Sequence, residues 1–183
     1  MTEAAAPDVL SDVLQAVRLT GSLFFLVEGA SPYAAAAPCS GDLAPAILPK
    51  AQRIVSYHVV REGGCWYSLP PGGEGHRLEP GDVLVVPHGD AYELSNPRGT
   101  RSSLPLEANL ALFRRMAERK APPLVALAQG EPVVRLVCGF LGCDVLPFNP
   151  TLATLPRALV VRAASALGDD RLGRLVDLVA AEA

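Results

Sequence analysis

Four side chains suited to molecular recognition fall inside short apolar segments of the sequence: Tyr57, His58, Trp66 and Tyr92. A histidine changes its charge near neutral pH and can donate or accept a hydrogen bond, and a phenol combines an apolar ring with a polar tip. These are the polar contacts that small-molecule pockets use. The alternative for each residue is an ordinary core position, with His58 satisfied by a neighbouring polar group. We predict that the four residues bind a small ligand.

The sequence contains four cysteines: Cys39, Cys65, Cys138 and Cys143. None of them has the C-x-x-C spacing of structural zinc and redox sites. We expect buried, reduced thiols, because a chain of this size forms its own core and does not need bridges. Two disulfides are an alternative. A zinc site made by Cys39, Cys143 and His88 is another.

Motifs of the common catalytic sites are missing from the sequence. We find no G-x-S-x-G nucleophile elbow, no Walker loop and no G-x-G-x-x-G after a strand. The glycines at 72–75 are typical of a hairpin loop rather than of a phosphate cradle. The sequence therefore assigns no catalytic residue and no cofactor.

Composition and charge restrict the partners that the chain can have. Of the 183 residues, 50% are hydrophobic and 19% are charged, which is typical of a folded domain and excludes a disordered chain. The formal net charge of −3 argues against direct contact with nucleic acid, which needs clustered Lys and Arg. There is no signal-like N-terminus and no uncharged apolar window of about 18 residues. We expect a cytoplasmic protein that contacts no membrane.

The pattern of apolar residues predicts a strand-rich centre with helices at both ends. Residues 54–94 consist of short apolar runs separated by turn signals, which is typical of an antiparallel barrel or sandwich, and residues 133–141 form a last apolar strand. Residues 8–18 have the spacing of an amphipathic helix. A C-terminal helix from residue 169 places an apolar stripe on one face: Leu172, Leu175, Val176 and Val179.

The remaining segments have weaker patterns. Residues 31–49 have no clear period, and we interpret them as an irregular loop with one edge strand. Residues 107–119 are compatible with a short helix. We assign the whole chain to one domain, with a barrel at about 21–145 and a helical C-terminal part at about 149–183.

Residues 81–96, GDVLVVPHGDAYELSN, resemble the second motif of the cupin superfamily. Gly81, Pro87, Gly89 and Asn96 match its fixed positions, and Tyr92 stands where the family has its metal-binding histidine. The resemblance implies a mainly β fold, the cupin-type double-stranded β-helix or jelly-roll barrel, with the N-terminal and C-terminal helices packed outside it.

The first cupin motif should lie at residues 54–66, IVSYHVVREGGCW, where Glu62 and Gly63 match the turn that ends it. Gln52 and Arg53 stand near the positions of the family's histidine pair, and His58 is the one histidine nearby. A typical metallo-cupin holds its metal with three histidines and one carboxylate. We therefore expect no metal site.

A closer resemblance extends over nearly the whole chain. Residues 8–25, 57–66, 81–94 and 136–161 are similar to the N-terminal cupin domain of AraC-type transcription regulators. This implies a domain that senses a small-molecule effector and forms a homodimer, while a separate helix-turn-helix part, which we do not find in this sequence, binds DNA. One alternative is a cupin enzyme acting on a small molecule with no metal or an atypical metal site. Another is a purely structural dimer module.

Overall fold

Two β-sheets form the body of the protein in the computed structural model, which describes residues 19–118, 124–144 and 153–162. In these ranges there are ten strands: β1 (Leu19–Gly29), β2 (Tyr33–Ala37), β3 (Arg53–Gly63), β4 (Cys65–Ser68), β5 (His76–Leu78), β6 (Val83–Val86), β7 (Tyr92–Asn96), β8 (Leu124–Leu127), β9 (Val134–Cys143) and β10 (Leu159–Val161). The two helices are α1 (Ser40–Ile47) and α2 (Leu106–Ala117). The helices predicted at 8–18 and from 169 lie outside the described residues.

The larger sheet has the strand order β10-β6-β3-β9-β1-β8, and the smaller one has the order β2-β7-β4-β5. The neighbouring strands are antiparallel except β1 and β8, which are parallel. The prediction of a mainly β, jelly-roll fold is confirmed. No helix in the described ranges is long and apolar enough to cross a membrane.

Strand β3 shows how the alternation of side chains directs residues to the interior. Ile54, Ser56, His58 and Val60 are all at most 3% exposed and share one face. His58 touches Tyr92 of the smaller sheet, so this face of β3 is the one that meets the opposite sheet. The paired strand β9 places Cys138 directly beside His58. The interior of the barrel therefore contains a polar row flanked by apolar side chains.

The helices lie in segments with different sequence signals. Helix α2 agrees with the short helix predicted at 107–119, and it buries Asn109, Leu110, Phe113 and Met116 at helical spacing. Residues 31–49 were predicted to be an irregular loop with one edge strand, and they contain the strand β2 but also the helix α1. Gly41 and Pro45 lower the helix propensity of α1, and its burial against the rest of the protein compensates.

Strand β10 lies within the part of the chain, about 149–183, that was predicted to be helical. Its residues are Leu159, Val160 and Val161, and they pair with β6 at the edge of the larger sheet. Two β-branched valines favour this extended conformation. Just before β10, Arg157 forms an ion pair with Asp90, which lies between β6 and β7. Its Nη2 is 2.7 Å from Oδ1 of Asp90. The larger sheet thus extends beyond the predicted barrel limit of about 145.

Candidate ligand-binding site

A cavity of about 130 Å³ lies between the two sheets and helix α2. Its walls are contributed by β1, β2, β3, β7, β8, β9, α2 and the segment before α2. None of the residues that line it is Asp, Glu, Lys or Arg. Its polar side chains, apart from the thiol of Cys138, are His58, Tyr92, Ser102 and Asn109. The cavity is therefore apolar with a few polar groups, which is the usual composition of a small-molecule site.

Three phenylalanines form one wall of the cavity. Phe140 is 1% exposed, and its ring centroid lies 5.7 Å from that of Phe25 and 5.5 Å from that of Phe113. The rings of Phe113 and Phe140 are nearly perpendicular, an arrangement that aromatic pairs prefer. Phe25 and Phe140 lie in strands of the larger sheet and Phe113 lies in α2, so this wall joins the helix to the larger sheet.

His58 and Tyr92 form a hydrogen-bonded pair in the wall of the cavity. Nε2 of His58 lies 2.6 Å from Oη of Tyr92, and the residues are 3% and 2% exposed. Their rings meet edge to face with centroids 5.1 Å apart. Each side chain comes from a different sheet, so the bond joins the two layers of the barrel.

Burial controls the ionisation of both groups. It lowers the pKa of His58 to about 3, because the protonated imidazolium would lose its hydration. Burial also raises the pKa of Tyr92 above its ordinary value, and the hydrogen bond with Ser56 opposes this shift without reversing it. Both side chains are therefore neutral at physiological pH. The pair therefore contributes hydrogen-bonding groups but no charge to the wall of the cavity.

The cysteines are all free thiols. Burial raises the pKa of Cys138 well above its ordinary value and the pKa of Cys65 to about 11, so these thiols stay protonated. The prediction of buried thiols is wrong for Cys39, which is exposed and whose Sγ lies 3.2 Å from a carboxylate oxygen of Asp42. His88 uses its Nε2 to contact the carbonyl oxygen of Leu155 at 2.7 Å.

The metal site of the resembling family does not fit the residues of this chain. Tyr92 occupies the position of one histidine ligand and is paired with His58. Glu62 has 63% of its side chain exposed and pairs with Arg135 on the surface. Within the described ranges, no group of three or more His, Cys, Asp and Glu side chains is placed to hold a metal ion. A neutral phenol with a raised pKa is a poor ligand for Fe(II), Mn(II) or Zn(II).

We predict that the purified protein carries no stoichiometric Fe, Mn, Ni or Zn, because this donor set offers one imidazole and a protonated phenol. Elemental analysis of protein expressed in metal-supplemented medium measures this. The control is a variant with Cys39, Cys138 and Cys143 changed to Ser, which removes adventitious thiol sites. About one equivalent of metal that is kept by this variant and lost on His58→Ala would contradict the prediction.

Two of the predicted ligand-binding residues do not line the cavity. Tyr57 is adjacent to His58 in β3 and lies on the opposite face, packed over Gly139 of β9. A Cβ atom at Gly139 would stand 2.4 Å from the ring of Tyr57, so the glycine makes room for the phenol. The structure therefore brings together His58 and Tyr92 but places Tyr57 elsewhere.

Trp66 also lies away from the cavity. In β4 the buried positions are Cys65 and Tyr67, and Trp66 is partly exposed on the other face of the smaller sheet. Two guanidinium groups lie over its ring, and their central carbon atoms are 5.7 Å (Arg77) and 5.2 Å (Arg98) from the ring centroid. Trp66 is therefore part of the outer surface of the smaller sheet.

Several residues of the cavity were not identified from the sequence. Phe25, Cys138 and Phe140 are ordinary apolar residues of strands, and nothing in their local pattern distinguishes a cavity wall from a filled core. The helical spacing of Asn109, Phe113 and Met116 is a usable signal, because it indicates that one face of α2 is buried. It does not indicate which part of the barrel that face covers.

Comparison with known proteins gives one family match. A family model described as Cupin matches residues 8–183. No curated protein matches the chain. Among solved structures, the protein YhaK from Escherichia coli is similar with 11% sequence identity and a TM-score of 0.39. The similarity covers 81% of this chain and 44% of that one, so this chain spans less than half of its length.

Proposed function

The chain belongs to the cupin family, and from this premise we propose that it is the small-molecule-sensing and dimerisation domain of an AraC-type transcription regulator. The observation that carries the proposal is the cavity between the sheets, which no charged side chain lines and whose wall contains the hydrogen-bonded pair of His58 and Tyr92. The similarity of four sequence segments to such sensor domains supports the same assignment.

The chemistry of the cavity favours binding over catalysis. A general acid or base works best with a pKa near the operating pH. Burial lowers the pKa of His58 to about 3 and raises that of Tyr92 above its ordinary value, so neither group exchanges a proton readily at neutral pH. The same neutral groups are suitable hydrogen-bonding partners for a bound effector. The enzyme alternative therefore has weaker support than the sensor.

The position of α2 suggests how a ligand in the cavity can affect the rest of the protein. This helix contributes Leu112, Phe113 and Met116 to the cavity and contacts α1. Strand backbones are joined by ladder hydrogen bonds, whereas a helix packed through its side chains is held less tightly to the sheet. We propose that an effector shifts α2, provided that it binds one of two positions of the helix more strongly.

A reporter assay tests the proposed function. The 183-residue chain is fused to a DNA-binding domain that occupies its operator only as a dimer, and reporter expression measures occupancy. We expect repression by the fusion and a change in repression when a cavity ligand is added. A soluble, folded fusion that does not repress would contradict the dimerisation role, and repression that no cavity-binding molecule alters would contradict sensing.

We predict that the chain forms a homodimer through the apolar stripe that the sequence places at 172–179, in the predicted C-terminal helix, which lies outside the described residues. Burying three to four such side chains contributes about 5 to 10 kcal/mol of transfer free energy before ordering costs. The variant Leu175→Glu places a charge in that stripe and should be a monomer. Light scattering on both proteins measures this. A wild-type protein that is already monomeric at high concentration would remove the dimer role.

A further inference from the structure

We infer that the cavity binds a neutral, mainly apolar molecule through one hydrogen-bond acceptor, which receives the Nδ1 hydrogen of His58. The inference rests on the proposed ligand-binding role of the cavity and adds the chemical class of the ligand. It depends on three features: the direction of the His58–Tyr92 hydrogen bond, the missing partner of Nδ1, and the absence of charge in the lining residues.

The contacts of the Tyr92 phenol indicate the direction of the His58–Tyr92 bond. The distance between Nε2 of His58 and Oη of Tyr92 is 2.6 Å. The hydrogen bond with Ser56 lowers the pKa of Tyr92, which is the effect of a hydroxyl that donates its hydrogen to the phenol oxygen. Because that oxygen accepts from Ser56, the hydrogen of the phenol is available for Nε2. We therefore assign Tyr92 as the donor and Nε2 of His58 as the acceptor.

A histidine that accepts at Nε2 and is neutral carries its hydrogen on Nδ1. Nδ1 of His58 is buried and has no hydrogen-bond partner among the described residues. The other such atom of the described residues, Oη of Tyr33, interacts with the thiol of Cys65, and Tyr33 does not line the cavity. An unpaired buried donor is costly, and His58 is one of the residues that line the cavity. A ligand whose acceptor displaces the side chains that cover Nδ1 therefore gains a hydrogen bond that folding left unmade.

The other polar side chains of the cavity already have contacts. Asn109 donates from its side-chain amide to the carbonyl oxygen of Ala36 at 2.8 Å. The hydroxyl oxygen of Ser102 accepts from the backbone N–H of Leu104 at 3.3 Å. Among the buried side-chain nitrogen and oxygen atoms of the described residues that line the cavity, Nδ1 of His58 is the one that has no hydrogen-bond partner at all. One acceptor on the ligand satisfies this atom.

Charge and size define the rest of the ligand. No charged side chain lines the cavity, and His58 itself is neutral, so a carboxylate or an ammonium group would be buried without a counter-charge. The volume of about 130 Å³ is close to that of an engineered apolar cavity of about 150 Å³ that binds benzene. A ligand of one ring or a short branched chain with a carbonyl, ether or ring-nitrogen acceptor fits these limits.

The test uses the full 183-residue chain and two probes of nearly equal shape, acetophenone and α-methylstyrene. They differ in that the first has a carbonyl oxygen where the second has a methylene group. Each is titrated into the wild-type protein and into His58→Phe/Tyr92→Phe, which removes the ring nitrogen and the phenol that could replace it as a donor. The matched control is His88→Phe, since His88 lies outside the cavity lining.

We expect the double variant to bind acetophenone about tenfold more weakly than the wild type, because the lost hydrogen bond has that magnitude. Its affinity for α-methylstyrene should change by less than about twofold, and His88→Phe should bind both probes like the wild type. Comparing each probe with itself across the variants cancels the difference in hydrophobicity between the two probes.

A second measurement needs no substitution, so it remains available if the double variant does not fold. Long-range ¹H–¹⁵N spectra of the histidine rings distinguish the two neutral tautomers. We expect His58 to carry its hydrogen on Nδ1, and we expect acetophenone, but not α-methylstyrene, to shift the Nδ1 resonance as a hydrogen bond forms. A hydrogen on Nε2 in the free protein would overturn the inference.

The outcomes separate this inference from the proposed function. If both probes bind and lose affinity equally in the double variant, or if benzoate binds more tightly than acetophenone, the cavity is a ligand site but its assigned chemistry is wrong. If neither probe binds the wild type up to its solubility limit, the cavity is not a site for small apolar molecules, and the proposed sensing role fails together with the inference.

Discussion

Lowering the pH from about 8 to about 4 should remove about 3 kcal/mol from the free energy of unfolding through His58 alone. Burial lowers the pKa of His58 in the folded protein to about 3, whereas the unfolded chain has the ordinary value of about 6.5. Below pH 6.5 the unfolded state therefore binds a proton that the folded state does not. The contribution of neutral His58 is complete above pH 6.5 and is lost progressively as the pH falls towards 3.

Denaturant unfolding at several pH values measures this contribution when the wild type is compared with His58→Phe/Tyr92→Phe. The carboxylates that also titrate in this range are present in both proteins, so the difference between the two curves isolates His58. The phenol of Tyr92 does not titrate below pH 8, because burial raises its pKa. If the free energy of unfolding depended on pH in the same way in both proteins, His58 would be accessible to protons. The assignment of a buried, neutral His58–Tyr92 pair would then be wrong.

The fold could be predicted from the sequence where the local residue pattern is compatible with few backbone conformations. Gly81, Pro87 and Gly89 bracket the short apolar run of β6 and the turn after it, and this spacing is compatible with few structures. A short helix was predicted at 107–119, and α2 lies there. By contrast, α1 was not predicted, because Gly41 and Pro45 give this segment a low helix propensity. Its helical conformation depends on burial against the rest of the protein.

The candidate site was only half accessible from the sequence. His58 and Tyr92 were identified, and the structure places them 2.6 Å apart. Tyr57 and His58 are neighbours in one strand, so the alternation of side chains already prevents both from facing the same cavity. For Trp66 the alternation separated it from Cys65 without showing which of the two faces is buried. That choice depends on the opposite sheet, which local patterns do not describe.

The remaining walls of the cavity depend on contacts between distant segments. Phe25, Phe113 and Phe140 lie far apart in the sequence and meet because β1 pairs with β9 and α2 packs over them. A pattern within a window of about 18 residues cannot report such a contact. The cavity itself is a small shortage of side-chain volume, and it arises from the fit of many residues rather than from any motif.

Gly63→Ala should lower the free energy of unfolding by more than about 4 kcal/mol, because the position excludes a side chain for two independent reasons. Its φ of +69° is in the left-handed region, which costs an alanine about 1 to 2 kcal/mol. In addition, a Cβ atom at this position would lie 1.8 Å from the carbonyl oxygen of Val133. The oxygen belongs to the backbone entering β9, so it cannot move aside without displacing the strand.

Gly72→Ala is the matched control, because Gly72 has nearly the same φ, +68°, and no atom within 4 Å of the added Cβ. It should therefore cost only the conformational term of about 1 to 2 kcal/mol. Denaturant unfolding of both variants separates the two costs, since the steric term is their difference. If both variants lost a similar free energy of unfolding, the backbone at the start of β9 could move aside at little cost. In that case the register that sets Cys138 beside His58 would not depend on this turn.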